Sequence, residues 1–163
     1  DQSPKERLFP SLLDRLTDDR AGEKTETRER RVFSVHKLRA AVLRDLAWLL
    51  NTCHLAATED LEQYPSIESS VLNYGIPDLT GKTLSGMDVV DIERELRQAI
   101  LNYEPRIIAD TLRVRANANE WEASANSLTF EIEGELWARP FPERLYLKTE
   151  LDLESGSVSI NEI

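Results

Sequence analysis

A break in periodicity at Pro105 constrains this fold more than any other feature of the chain. Before it, apolar residues recur every three or four positions; after it, they recur every second position. Val89, Ile92, Leu96, Ala99, Ile100 and Tyr103 predict one stripe of a long helix, capped by Asp88 and stopped at Glu104. Beyond the break, Leu112, Val114 and Ala116 alternate with Arg113, Arg115 and Asn117. Leu128, Phe130 and Ile132 alternate with Thr129, Glu131 and Glu133. Leu145, Leu147, Thr149, Leu151 and Leu153 alternate with Tyr146, Lys148, Glu150 and Asp152. These are three strands, each with one buried and one wet face. The links at 117–126 and Pro140-Phe141-Pro142 are short, so an antiparallel meander is expected. Gly156 allows a further turn, after which Val158 and Ile160 add a short fourth strand.

The preceding half is helical. Ser34 is placed as a cap for Val35, Leu38, Val42, Leu46, Leu49 and Leu50, with Ala41, Leu43, Ala47 and Trp48 widening the stripe. A wide stripe puts this helix at the centre of the fold, with Arg39 and Arg44 on its wetter face. Residues 58–64 predict a short helix ended by Pro65. Ile67, Val71 and Leu72 suit a turn or two of helix. Asn73 and Gly75 tolerate positive φ, Pro77 fixes a bend, and Gly81 and Gly86 bracket a loop. The fold class is therefore α+β: two long helices on one face of a small antiparallel sheet of three to four strands.

The front differs. Leu8-Phe9-Pro10-Ser11-Leu12-Leu13-Asp14-Arg15-Leu16 forms a short apolar segment with Ser11 as a helix cap. It is too short to stand alone in water, so it docks on its own domain or on a partner. Residues 18–31 are polar and mostly charged, and read as a linker, with Arg28-Glu29-Arg30-Arg31 serving solubility. The expected division is a docking segment and charged linker over 1–31 and a single domain over 32–163.

Charge and composition narrow the function. The formal net charge of −10 disfavours nucleic acid and anionic membranes and favours basic protein surfaces. The chain has no apolar run of about 18 residues and no secretory pattern at its front, so a cytoplasmic location is expected. Its one cysteine, Cys53, excludes an internal disulfide and is expected to be a small buried hydrophobe. His36 and His54 make no metal spacing, the glycines match no phosphate loop, and no serine sits in a nucleophile elbow. Glu59, Asp60, Glu62 and Asp78 lie in polar loop sequence, where nothing supplies the apolar pocket a general acid needs. No catalytic, cofactor or metal residue is assigned.

Glu104 and Arg106 are held rigidly beside Pro105. An acid at a helix C-terminus opposes the macrodipole, and Arg106 is the local cation to answer it. The two form either a self-contained ion pair or a docking device; as a surface pair they would contribute only ~0–1 kcal/mol to folding.

From residue 8 to about residue 160 the chain resembles the TssE family of type VI secretion baseplate components, part of a superfamily of contractile-tail wedge proteins once called lysozyme-like. The matching pieces are Pro10-Ser11-Leu12-Leu13-Asp14-Arg15-Leu16, Leu43-Arg44-Asp45-Leu46-Ala47-Trp48-Leu49-Leu50-Asn51-Thr52, Tyr64-Pro65, the stretch 70–81, and the stretch 100–106 with its Glu-Pro-Arg motif. The resemblance implies a structural wedge protein between baseplate core and contractile sheath, templating sheath polymerisation. The implied partners are TssF and TssG, with TssK as a further one, and the sheath proteins TssB and TssC. The implied docking residues are Glu104, Pro105 and Arg106, joined by Leu12, Leu13, Leu16, Tyr74 and Asp78. Sheet edges that accept strands suit such a role, with Lys148, Glu150 and Asp152 blunting one of them. The old family name and the many carboxylates leave a murein hydrolase as the competing class.

Overall fold

The computed structural model describes residues 11–17, 35–80, 88–117, 127–138 and 141–162. The Ser34 cap, the tract at 18–31, Leu8 to Pro10, Gly81, Gly86, Pro140 and most of the 117–126 turn lie outside them.

Among the described residues, four α-helices and four strands follow in order: α1 Leu12–Leu16, α2 Val35–Leu50, α3 Pro65–Glu68, α4 Val89–Tyr103, β1 Arg113–Ala116, β2 Ser127–Leu136, β3 Glu143–Asp152 and β4 Val158–Glu162. The strands pair antiparallel in sequence order, the expected meander. Leu38, Val42, Leu46 and Leu49 of α2 and Ile92, Leu96 and Ile100 of α4 share one core with Leu128, Phe130, Ile132, Leu145, Leu147 and Leu151 of the sheet. These are the residues that the two periodicities put inward. Asp88 caps α4 by accepting from the Val90 N–H.

Five expectations change. Residues 58–64 are not helical: a 3-10 turn covers Leu55–Ala57, and the Asp60 carboxylate takes the Glu62 N–H. Pro65 starts α3 instead of stopping a helix, because a residue without an N–H fits the first helical turn. Cys53 is exposed; the chain leaves α2 there and forms a parallel bridge to Ile76. Trp48 is also exposed, so the buried stripe of α2 is narrower than composition suggested. Lastly, positive φ falls on Gly75 and not on Asn73, whose buried side chain instead accepts from Ala56 N–H and donates to Glu68 C=O.

The sheet edges are β1 and β4. β3 is interior, so Lys148, Glu150 and Asp152 blunt no edge. Pairing alternates, and Asn117 N–H bonds Thr129 C=O, so the outward backbone groups of β1 belong to Val114 and Ala116. The Ala116 N–H meets the Glu93 carboxylate at 2.6 Å, and Arg97 Nε donates to Leu112 C=O at 3.2 Å. Glu93 and Arg97 of α4 thus cap β1. On the other edge, Asp152 N–H bonds Ser157 C=O, which turns Val158, Ile160 and Glu162 outward. Asn51 clasps Val158 through both backbone groups, at 2.9 Å each. Arg39 pairs with Glu143 and with Glu162.

Candidate protein-docking site

The chain turns sharply where α4 stops. The Glu104 N–H closes the last helical turn on Ile100 C=O, and its side chain points into the protein with 2% exposure. Pro105 stays exposed at the corner. Arg106 folds back over it: Nε donates to Glu104 Oε1 at 2.6 Å and Nη2 to Oε2 at 2.5 Å, while the Arg106 N–H also reaches Oε1 at 3.1 Å. This two-pronged pair answers the acid that opposes the α4 dipole. With Glu104 at 2% side-chain exposure, it is not a surface pair of the ~0–1 kcal/mol kind.

Arg106 Nη2 also lies 2.5 Å from Asp45 Oδ2 on α2. Burial would lower the Arg106 pKa, but Glu104 and Asp45 outweigh it and hold the guanidinium above its usual range. Arg44 next to Asp45 pairs with it at 2.7 Å and with Asp14 of α1 at 2.7 Å, and its guanidinium lies 5.1 Å from the Trp48 ring centroid. An unbroken run of ion pairs therefore joins α1, the middle of α2 and the corner after α4.

Two tyrosines brace the same corner. The rings of Tyr74 and Tyr103 meet edge to face at 5.1 Å. The Tyr103 hydroxyl lies 2.8 Å from both the Ser70 and the Asn73 carbonyl oxygens. Burial first, then the charges of Asp45 and Glu104, push the Tyr74 phenol upward. After the corner, the outgoing chain runs beside the end of β2: Ile108 N–H bonds Glu135 C=O and Trp137 N–H bonds Arg106 C=O.

The residues singled out from sequence therefore separate. Tyr74, Glu104, Pro105 and Arg106 form one corner. Leu12, Leu13 and Leu16 are exposed on α1, at 68, 43 and 73%, and α1 joins the corner through Asp14. Asp78 is exposed and accepts from Thr80 N–H at 2.9 Å and from the Thr80 hydroxyl at 2.6 Å, a turn of its own. Asp14, Arg44 and Asp45 were not assigned from sequence. The one available signal was a charged pair, Arg44-Asp45, inside an otherwise apolar helical stretch.

Among the described residues, no group of three or more His, Cys, Asp or Glu could hold a metal ion. No described helix is long and apolar enough to cross a membrane. The family model of the baseplate wedge protein gp25 matches residues 36–140, from the first turn of α2 through the corner and all of β2. The search of curated proteins gave no match.

Proposed function

This chain belongs to the baseplate wedge protein gp25 family, and on that premise we propose that it is the cytoplasmic, TssE-type wedge subunit of a type VI secretion baseplate. In this reading it joins the wedge proteins TssF and TssG, with TssK as a further contact, to the TssB–TssC sheath. It acts by assembly and not by hydrolysis. The corner at Glu104-Pro105-Arg106 faces the wedge core. Glu104 and Arg106 hold the exposed Pro105 and its surroundings in one geometry, and Leu12, Leu13 and Leu16 add an apolar contact beside them.

The sheath side is read from the outer edge of β4, which carries the proposal. Asn51, at the end of α2, occupies Val158, and among the described residues the outward backbone groups of Ile160 and Glu162 continue the edge beyond it. An extended sheath segment adding there would gain main-chain hydrogen bonds that depend little on side chains. Ile160→Pro removes an outward donor and leaves the bonds to β3 intact. The expected result is normal circular dichroism and lost sheath assembly, with binding to the wedge proteins retained. Sheath of normal length and number from a folded variant would rule this edge out.

A further inference from the structure

The geometry points to a further docking surface at the 3-10 turn Val71–Asn73, and to a cationic partner segment that also carries apolar residues as its occupant. Val71 and Leu72 are 80% and 66% exposed, and Tyr64, just before α3, is 58% exposed. Apolar residues scattered singly over a surface are ordinary. Two adjacent ones on a turn that cannot fold inward are a different case.

The turn is held at both ends. The Ser70 hydroxyl accepts from Leu72 N–H and donates to Ile67 C=O. The buried Asn73 side chain accepts from Ala56 N–H and donates to Glu68 C=O. From α4, the Tyr103 hydroxyl lies 2.8 Å from the carbonyl oxygens of Ser70 and Asn73, which flank the apolar pair. These bonds occupy the backbone around Val71 and Leu72 and leave the two side chains outside. A partner that covers them orders little that is not already ordered, which lowers the cost of association.

Charge selects the occupant. Between Arg44 and Lys82 the chain has no lysine or arginine, while Glu59, Asp60, Glu62 and Glu68 fall there and are all exposed. The Asn73 bonds to residues 56 and 68 close that stretch into a loop ending at the turn, so its acids border the apolar pair. Among the described residues no cation pairs with Glu59, Glu62 or Glu68, whereas Asp14, Asp91, Glu104 and Glu143 each meet an arginine. An apolar centre with an acidic rim favours a partner with lysine or arginine around its own apolar residues. It disfavours a second copy of this chain, whose matching surface is equally acidic. The surface adjoins the corner through Tyr103, but the inference does not rest on the corner's proposed role.

NMR titration of the full chain with a synthetic amphipathic Lys/Leu peptide tests this, with Glu/Leu and Lys/Ser peptides of equal length as controls. The Lys/Leu peptide should bind best and shift the amides between Ala56 and Asn73 most. Val71→Ser with Leu72→Ser should weaken binding at least about ten-fold at every salt concentration, with the circular dichroism of the parent chain. Glu59→Gln, Glu62→Gln and Glu68→Gln together should weaken it mainly at low salt and flatten its salt dependence. Unchanged affinity in the Val71→Ser, Leu72→Ser chain, or shifts spread over acidic residues everywhere, would overturn the inference by showing charge attraction alone. Equal binding of the Glu/Leu peptide would overturn the choice of a cationic occupant. A dimer in sedimentation that the same double change abolished would assign the surface to a second copy instead. No binding of the Lys/Leu peptide would also overturn the inference, and would leave the corner and the β4 edge to their own tests.

Discussion

Arg106 and Asp45, 61 residues apart in sequence, meet at 2.5 Å and fasten the end of α4 to the middle of α2. The contact turns a local helix stop into a tertiary joint. It also places Glu104 between two demands: it neutralises Arg106, yet it sits with 2% side-chain exposure, where an unpaired charge is costly.

Arg106→Ala should therefore cost more than a surface pair would. It leaves the Glu104 carboxylate buried without its cation and close to Asp45, for a loss of about 3–5 kcal/mol. Glu104→Gln keeps the shape and some hydrogen bonding, and should cost less than Arg106→Ala. Urea unfolding of both variants measures the difference. If Arg106→Ala shifted stability by no more than about 1 kcal/mol, the joint would be a surface pair, and loss of wedge binding would then point to direct docking.

Gly75 is the second joint. Its φ is +129°, and a Cβ there would lie 2.3 Å from Thr52 C=O, a backbone atom that cannot swing aside. The same segment carries the reciprocal bonds His54 N–H to Ile76 C=O and Ile76 N–H to Thr52 C=O. Gly75→Ala should destabilise by about 3 kcal/mol or more, at or beyond the usual range for backbone strain. It should also loosen Tyr74 from Tyr103, which near-ultraviolet circular dichroism would register. A thermal midpoint equal to that of the parent chain would contradict the close approach.

Purified protein should leave peptidoglycan uncleared in zymograms and turbidity assays. The loop carboxylates that could suggest a glycosidase are occupied with turns, Asp60 with Glu62 N–H and Asp78 with Thr80. Clearing that vanished in Asp60→Asn or Glu62→Gln, with the fold intact, would restore the hydrolase reading.

What was legible in the chain was whatever depends on near neighbours. The stripes of α2 and α4, the Asp88 cap and the alternation of three strands are set within a few residues, and Gly156 and the Val158–Ile160 alternation announced β4. Glu93 and Arg97 show the limit of such reasoning. Four apart on a helix they look like partners, but the unpaired groups of a sheet edge, brought close only by folding, bind them more strongly. Pro65 shows another: the same ring that disfavours helix before it favours helix after it. Beyond the neighbours Arg44 and Asp45, the Asp14–Arg44–Asp45–Arg106 run could not be read, because no local rule joins residues 30 and 61 positions apart.

The same run makes α1 sensitive to acid. Burial would raise the Asp14 pKa, but bonds from Ser11 and Arg44 outweigh it and hold the carboxyl below its ordinary value. A depressed folded pKa stabilises docking above the unfolded value and loses that stabilisation as pH falls through the folded one. The seat of α1 should thus be intact at neutral pH and weaken only below about pH 4, the ordinary Asp range. Arg44→Gln should move the loss to higher pH, because it removes the cation that keeps Asp14 charged. The Asp14 carboxyl and Thr17 amide shifts, followed by NMR from neutral pH downward, would track both. Because the tie is a partly exposed ion pair and Leu12, Leu13 and Leu16 face outward, deleting residues 1–17 should cost only about 0–1 kcal/mol. A fall of several kcal/mol would show instead that α1 belongs to the core, and would remove its leucines as a contact for a partner.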